Sequence, residues 1–192
     1  MSTLQKVLDY WFSTPNDYQK WFFSGSSLDN YIKIEFEPLL LEVLDNNKKY
    51  NPKNTKEILA KIILLDQFSR HMYRNSDKAY ACDIISLNLS LKMLNNSTIN
   101  ELSSVEQLFA LMPLQHSENI QHKNILLTFA NDKLNTSNEY DKNIYSSIIE
   151  HTKNHRTVLE LFGRYPKRNQ FLGRVSTPEE ILYIKEFQHR DY

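Results

Sequence analysis

Apolar residues recur at helical spacing along almost the whole chain. Three glycines in 192 residues leave little material for strands and tight turns. Leu4, Val7, Leu8 and Trp11 form one stripe behind a Ser2-x-x-Gln5 capping box. Leu28 to Leu44 reads as a second helix, with Pro38 as the place for a kink. Asn54 caps a third that runs to about His71, with Glu57 at its third position. Ser76 caps a fourth that continues to about Leu94. Ser103-x-x-Glu106 opens a fifth that stops before Pro113, and a sixth starts at or near Ser117. A long seventh runs from about Ser137 to Phe162, where Gly163 suits the C-terminal cap. Thr177-Pro178-Glu179-Glu180 supplies a cap, a proline at the first helical position and two acids in the first turn, which launches a last helix to about Gln188. The connections are short, so neighbouring helices should pack antiparallel. The expectation is an all-α, single-domain array of about eight helices over residues 1–192. No clean repeat of tetratricopeptide length and no linker is visible.

Composition narrows the function classes. Formal net charge is zero, against the basic excess of a general nucleic-acid or membrane-surface binder. The excess is local: from Glu150 to Arg174, six basic residues face two acids. A lone cysteine, Cys82, allows no internal disulfide and fits a reducing compartment, hence a cytoplasmic protein. The N-terminus reads as no signal peptide, and no apolar run approaches the roughly 20 residues that span a bilayer. Trp11, Phe12, Trp21, Phe22 and Phe23 read as packing aromatics, because no basic residues interleave them as a base-stacking platform would require.

Positive charge is carried by 16 lysines but only 7 arginines, and six of the arginines fall in two windows. One is Leu65-Asp66-Gln67-Phe68-Ser69-Arg70-His71-Met72-Tyr73-Arg74. The other extends from His155-Arg156 through Gly163-Arg164 and Arg168-Asn169 to Gly173-Arg174. A guanidinium holds a carboxylate or phosphate through two parallel hydrogen bonds, which an ammonium cannot do. In the first window Ile58, Leu59, Ile62, Ile63, Leu64, Leu65 and Phe68 cover nearly every direction around the third helix, so it should be buried. Asp66, Gln67, Arg70 and Arg74 then share one inward stripe. Two arginines and one acid leave positive charge over, which calls for a ligand or a second acid.

On the seventh helix His151 and His155 both map to the apolar face. Their spacing could chelate a metal, but no third ligand accompanies them, so the reading is hydrogen-bonded histidines and no metal. His116, Ser117 and Glu118 contain the elements of a triad, although adjacent residues seldom meet in triad geometry. Ser117 reads more simply as a helix cap and Glu118 as a favourable charge beside it. Arg164, Arg168, Asn169 and Arg174, followed by the helix start at Thr177, could form an anion cradle or a loop clamped to the protein's own carboxylates.

These segments, in order, resemble a mostly bacterial helical family, the domain of unknown function numbered 924. The matching residues are Val7-Leu8-Asp9-Tyr10-Trp11-Phe12, Trp21-Phe22, Leu28-Asp29, Leu65-Asp66-Gln67-Phe68, Arg70, Arg74, Ala81 and Asp83. They continue with Pro113-Leu114, His116-Ser117-Glu118, His155-Arg156, Phe162 to Pro166, Arg168-Asn169, Leu172-Gly173-Arg174 and Ser176 to Glu180. Ser69 stands where the family usually has proline, and His71 where it usually has asparagine. The stretch Asn119 to Asn124 lacks the family's acid-and-glutamine pattern. The resemblance implies a tetratricopeptide-like fold but no reaction and no cofactor.

The functional expectation is a pocket for a small anionic, phosphate- or carboxylate-bearing ligand. Gln67, Arg70, Arg74, Arg164, Arg168, Asn169 and Arg174 would bind it. His155, His116, Glu118 and Asp66 would be the acid-base residues if there is catalysis. The two arginine windows would then meet in one constellation. The alternatives are a module that grips a peptide carboxylate, a purely structural lock, and, more weakly, RNA binding.

Overall fold

The helical period is realised along the chain, and among the described residues there is no strand. The structure is a computed structural model that describes residues 3–15, 17–22, 25–46 and 49–187. The expected Ser2 capping box and the end of the last helix at Gln188 lie outside the described residues, as does Phe23. The chain reads as one domain by sequence. Its contacts fall into two compact units, Met1–Pro113 and Leu114–Tyr192.

The first unit begins with α1 (Gln5–Trp11), α2 (Tyr18–Phe22) and α3 (Ser26–Asp45). Val7, Leu8 and Trp11 are the buried face of α1, at the predicted spacing. Pro38 lies inside α3, whose buried side is Ile32, Phe36, Leu39, Leu40 and Val43. Trp11 and Trp21 are buried as expected, with edge-on contacts to Phe68 and Phe109, whereas Phe22 is partly exposed. Asn54 caps α4 (Thr55–Ile62) by accepting from the Glu57 N–H. The helix then widens into a π-helical stretch, Ile63–Phe68, before closing as α5 (Ser69–Met72). All six residues of the stretch are buried. Side chains take up two of its carbonyls: the Ser69 hydroxyl donates to Leu65 O at 2.7 Å and Arg70 Nη1 to Asp66 O at 2.8 Å.

Beyond Tyr73 the chain leaves the helix, and Asn75 adopts a left-handed conformation with φ of 63°. Arg74 therefore lies on a turn and not on the helical stripe. Ser76 caps only a short 3-10 turn, Asp77–Tyr80, and a separate α6 (Asp83–Asn95) follows. The single fourth helix expected from the sequence is thus two pieces. Ser103 and Glu106 exchange hydrogen bonds as a capping box ahead of α7 (Ser104–His116). Pro113 does not stop this helix, contrary to expectation; it is accommodated near the C-terminal end.

In the second unit, α8 (Ile120–Thr136) is capped by Asn119, whose side chain accepts from the Gln121 N–H. Ser117 is therefore not the cap. A two-residue connection leads to α9 (Glu139–Phe162), and α8 and α9 pack along each other. Gly163 ends α9 with φ of 69°, donating its N–H to Leu159 O. Thr177 and Glu180 form the complete capping box of α10 (Pro178–Glu186).

Gly163 has open space where a Cβ would be, so a side chain there meets only the backbone penalty of positive φ. Gly163→Ala should cost about 1 kcal/mol in urea unfolding, whereas Gly25→Ala, which also has room and a negative φ, should stay within about 0.5 kcal/mol.

Candidate functional site

In the first unit the arginine window is a charge-paired network. Asp66 is fully buried. Gln67 Nε2 donates to its Oδ2 at 2.6 Å, and Arg70 Nη1 lies 3.1 Å from its Oδ1. Arg70 also meets Asp83, at the first turn of α6, with Nη1–Oδ1 of 2.9 Å and Nη2–Oδ2 of 3.0 Å. Burial opposes the Arg70 charge, but the two carboxylates outweigh it and hold the guanidinium above its ordinary range. Arg74 grips Asp29 of α3 in bidentate fashion, Nε–Oδ2 at 2.6 Å and Nη2–Oδ1 at 2.9 Å. His71 Nδ1 completes this cluster, 2.7 Å from Asp29 Oδ1. Burial alone would raise the Asp29 carboxyl, yet hydrogen bonds from Arg74 and His71 bring it below the usual carboxylate value.

The positive charge expected to be left over in this window is therefore met by acids from elsewhere in the unit. Sequence reasoning missed Asp29 and Asp83 as its partners. Both belonged to the residues that carried the family resemblance, which was the available signal.

In the second unit each loop arginine also has a place. Arg164 holds Glu180 through Nε–Oε1 of 2.7 Å and Nη2–Oε2 of 2.9 Å, and donates to Val175 O. Glu180 accepts further from Thr177 N–H and Asn169 Nδ2, and its carboxyl is pulled down to about 2, chiefly by Arg164. Arg174 holds Glu118 through Nη1–Oε2 of 2.7 Å and Nη2–Oε1 of 3.0 Å. Tyr165 N–H donates to the same carboxylate. Burial pushes the Glu118 carboxyl up, but these donors and the nearby Arg168 charge bring it below its ordinary value. Arg168, itself buried, stacks over the Tyr165 ring at 4.7 Å.

Beneath Tyr165 lies a group that the sequence did not single out. Lys123 of α8 is fully buried, and its Nζ donates to Leu114 O at 2.6 Å, Gln115 O at 2.6 Å and Ser117 O at 2.8 Å. Burial and the Arg168 charge push its pKa down to about 6. Three carbonyl acceptors are nevertheless matched only by the three N–H bonds of the ammonium form, so the geometry favours the charge. A lysine on a mostly polar helix carries no sequence mark of this placement.

His155 joins the same cluster, with Nδ1 at 3.2 Å from Gln115 O and 3.1 Å from the Tyr165 hydroxyl. That hydroxyl donates to Gln115 O at 3.0 Å, so the consistent tautomer carries its proton on Nδ1. Burial first, then the charges of Lys123 and the neighbouring His116, lower the His155 pKa to about 3. Such an imidazole is neutral near pH 7 and a poor proton acceptor. His151, expected on the same apolar face, is exposed instead, because that face is centred on Ile148, Thr152, His155 and Leu159. Ser117 meets His122 and not His116, with Oγ at 2.7 Å from His122 Nδ1. Glu118 is held by Arg174 and Tyr165, so the adjacent-residue triad does not form.

Three buried polar atoms of this unit have no hydrogen-bond partner among the described residues: Gln115 Nε2, Asn169 Oδ1 and Arg174 Nε. A surface depression along α8, lined by Gln121, Asn124, Ile125, Thr128, Phe129 and Asp132, contains none of the predicted site residues. Among the described residues no group of three or more histidine, cysteine, aspartate or glutamate side chains is placed to hold a metal ion. Nor is any helix of those residues long and apolar enough to cross a membrane.

The profile of the family described as bacterial protein of unknown function (DUF924) matches residues 7–187. A solved structure of a protein of unknown function from Agrobacterium tumefaciens superimposes with a TM-score of 0.80 at 24% identity, covering 95% of this chain and 97% of the other. At that identity the likeness shows the fold alone. No curated protein matches the chain.

Two measurements test these assignments. Asp29→Asn should cost roughly 2 kcal/mol in chemical unfolding, because it removes the charge facing Arg74, while Glu160→Gln, at the exposed partner of Arg156, should stay within about 0.5 kcal/mol. The second concerns pH. The folded-state pKa of His155, about 3, lies below the ordinary value of 6.5, so the unfolded chain binds that proton first as pH falls. Stability should drop from about pH 6.5 down towards about pH 3, by at most about 1.4 kcal/mol per pH unit from this group. Glu118 and Glu180 lose stabilisation in the acid range too, so the expected signature is a flatter profile in His155→Gln than in the parent between about pH 6.5 and 4. Parallel profiles would show that His155 does not titrate in this way.

Proposed function

The chain belongs to the DUF924 family of bacterial proteins of unknown function; we propose that it binds a small phosphate- or carboxylate-bearing ligand, and that the binding residues are those of the second unit around Tyr165. The observation that carries this reading is the pair of buried donors without a partner among the described residues, Gln115 Nε2 and Arg174 Nε. They occur in a unit where the Arg168 charge depresses Lys123 and where Glu118 is already engaged by Arg174. Unused donors in a positive field suit an anion or its bound water, and a buried donor left bare costs about 1–3 kcal/mol. His116, half-buried at the end of α7, is the imidazole best placed to reach a ligand from solvent.

The first window supports this function less well. Arg70 holds Asp83 through one hydrogen bond and a second close ion-pair contact, and Arg74 holds Asp29 through two hydrogen bonds, so an anion there would have to displace Asp83 or Asp29. Asp66, Gln67, Arg70 and Arg74 are better read as a structural lock. The same pairing weighs against an open arginine clamp for a peptide carboxylate in that unit. Catalysis is not part of the proposal, since His155 is held neutral and engaged by Gln115 and Tyr165.

The test is thermal unfolding with inorganic phosphate, and separately citrate, against sodium chloride at matched ionic strength. Stabilisation that rises with the logarithm of ligand concentration is expected, reaching about 2.7 kcal/mol at a hundredfold excess over Kd. It should be lost in Arg168→Gln, with Arg156→Gln as the exposed control. Equal shifts in chloride and phosphate would sink the reading.

A further inference from the structure

The second unit keeps a cation deep inside it, and nothing in the anion reading explains why it should be there. Lys123 is the only lysine that the described residues show fully buried, and it turns all its donors to backbone carbonyls of one short segment. Two of those carbonyls, Leu114 and Gln115, belong to the last turn of α7, whose final carbonyls have no partner inside the helix and carry the negative end of its dipole. The third, Ser117, lies past the helix end. Tyr165 donates to Gln115 O and, at 3.4 Å, to Ser117 O, and the Lys123 ammonium sits 5.7 Å from its ring centroid. Three inward carbonyl oxygens beside an aromatic face are the surroundings in which an ammonium or potassium ion is held.

We infer that Lys123 is a positioning residue that serves as a built-in monovalent cation: its ammonium gathers the Leu114, Gln115 and Ser117 carbonyls and so sets the turn that carries His116 and seats Glu118 against Arg174, whose Nε is a donor of the anion site. The role of Lys123 in anion binding rests on the reading proposed above; its role as a cation among carbonyls does not. The segment it fixes is short. Glu118 follows Ser117 directly, and its carboxylate must face Arg174 and Tyr165 N–H at once. Gln115, whose carbonyl receives Lys123, His155 and Tyr165, also accepts at its side chain from the Thr152 hydroxyl. Without the ammonium, Leu114 O would lose this donor, Gln115 O would keep only Tyr165 and His155 and Ser117 O only the longer contact to Tyr165, with no positive charge among the three dipoles, and the turn would open.

Lys123→Ala tests this directly, because it removes the ammonium and leaves room for a small cation. Thermal unfolding is compared in choline, ammonium and potassium chloride at equal ionic strength. In choline, too large to enter, the variant should melt roughly 10 °C below the parent. Ammonium should recover much of that loss in a concentration-dependent way, and the parent should melt alike in all three salts. Lys123→Met, which fills the space without a donor, should be destabilised and should not respond to ammonium. A second readout is inorganic phosphate affinity, expected about tenfold weaker for Lys123→Ala in choline than in ammonium. The inference is overturned if Lys123→Ala behaves identically in the three salts, or if Lys123→Met is as stable as the parent. If the parent binds no phosphate, the anion reading fails while the salt comparison still decides the role of Lys123.

Discussion

A charge taken out of water has to be met by an opposite charge or by enough dipoles, and in each unit the placement of helices is tied to how that requirement is satisfied. In the first, Asp66 cannot sit inside the π-helical stretch without Arg70, and Arg70 in turn draws on Asp83 at the start of α6. In the second, the Glu180 carboxylate is both the capping-box acid of α10 and the partner of Arg164, so one side chain closes a helix and anchors the preceding loop. Removing either member of such a pair leaves a bare charge, which is why these contacts constrain the fold more than their number implies.

The π-helical stretch shows how backbone and side chains share that task. A wider turn leaves carbonyls that the regular α-helical ladder would have used. Ser69 and Arg70 supply the missing donors from their side chains, and both are residues of the motif itself. The segment is therefore self-consistent where helical phasing alone predicted a uniform stripe. In the second unit Lys123 solves a related problem, the unpartnered carbonyls at the end of a helix, with an ammonium carried by the next helix.

Where the sequence was informative, a local rule was at work. Asn54, Thr177 with Glu180, and Gly163 act at the helix ends they marked, because capping depends on residues three or four apart. The arginine windows were visible because arginine is scarce elsewhere in the chain. Their partners were not visible: Asp29 is 45 residues from Arg74, and Glu118 is 56 from Arg174. Composition counted one acid near Arg70 and Arg74 and so left an apparent surplus that Asp83 and Asp29 remove. His151 and His155 looked equivalent by period, but the packed face is narrower than the apolar stripe, and only His155 falls inside it.

The sequence by itself determined that the chain is helical and where most helices begin, since apolar period and capping chemistry are written in neighbouring residues. It also marked its two arginine-rich motifs. Only the tertiary structure decided what those arginines do, because a guanidinium's role depends on which carboxylate reaches it. It also decided that the long third helix widens at Ile63–Phe68, that Pro113 stays within α7, and that Lys123, unremarkable among 16 lysines, is placed against three carbonyls. Burial sets the value of each of these charges, and burial is a property of the packed molecule that no stretch of neighbouring residues contains.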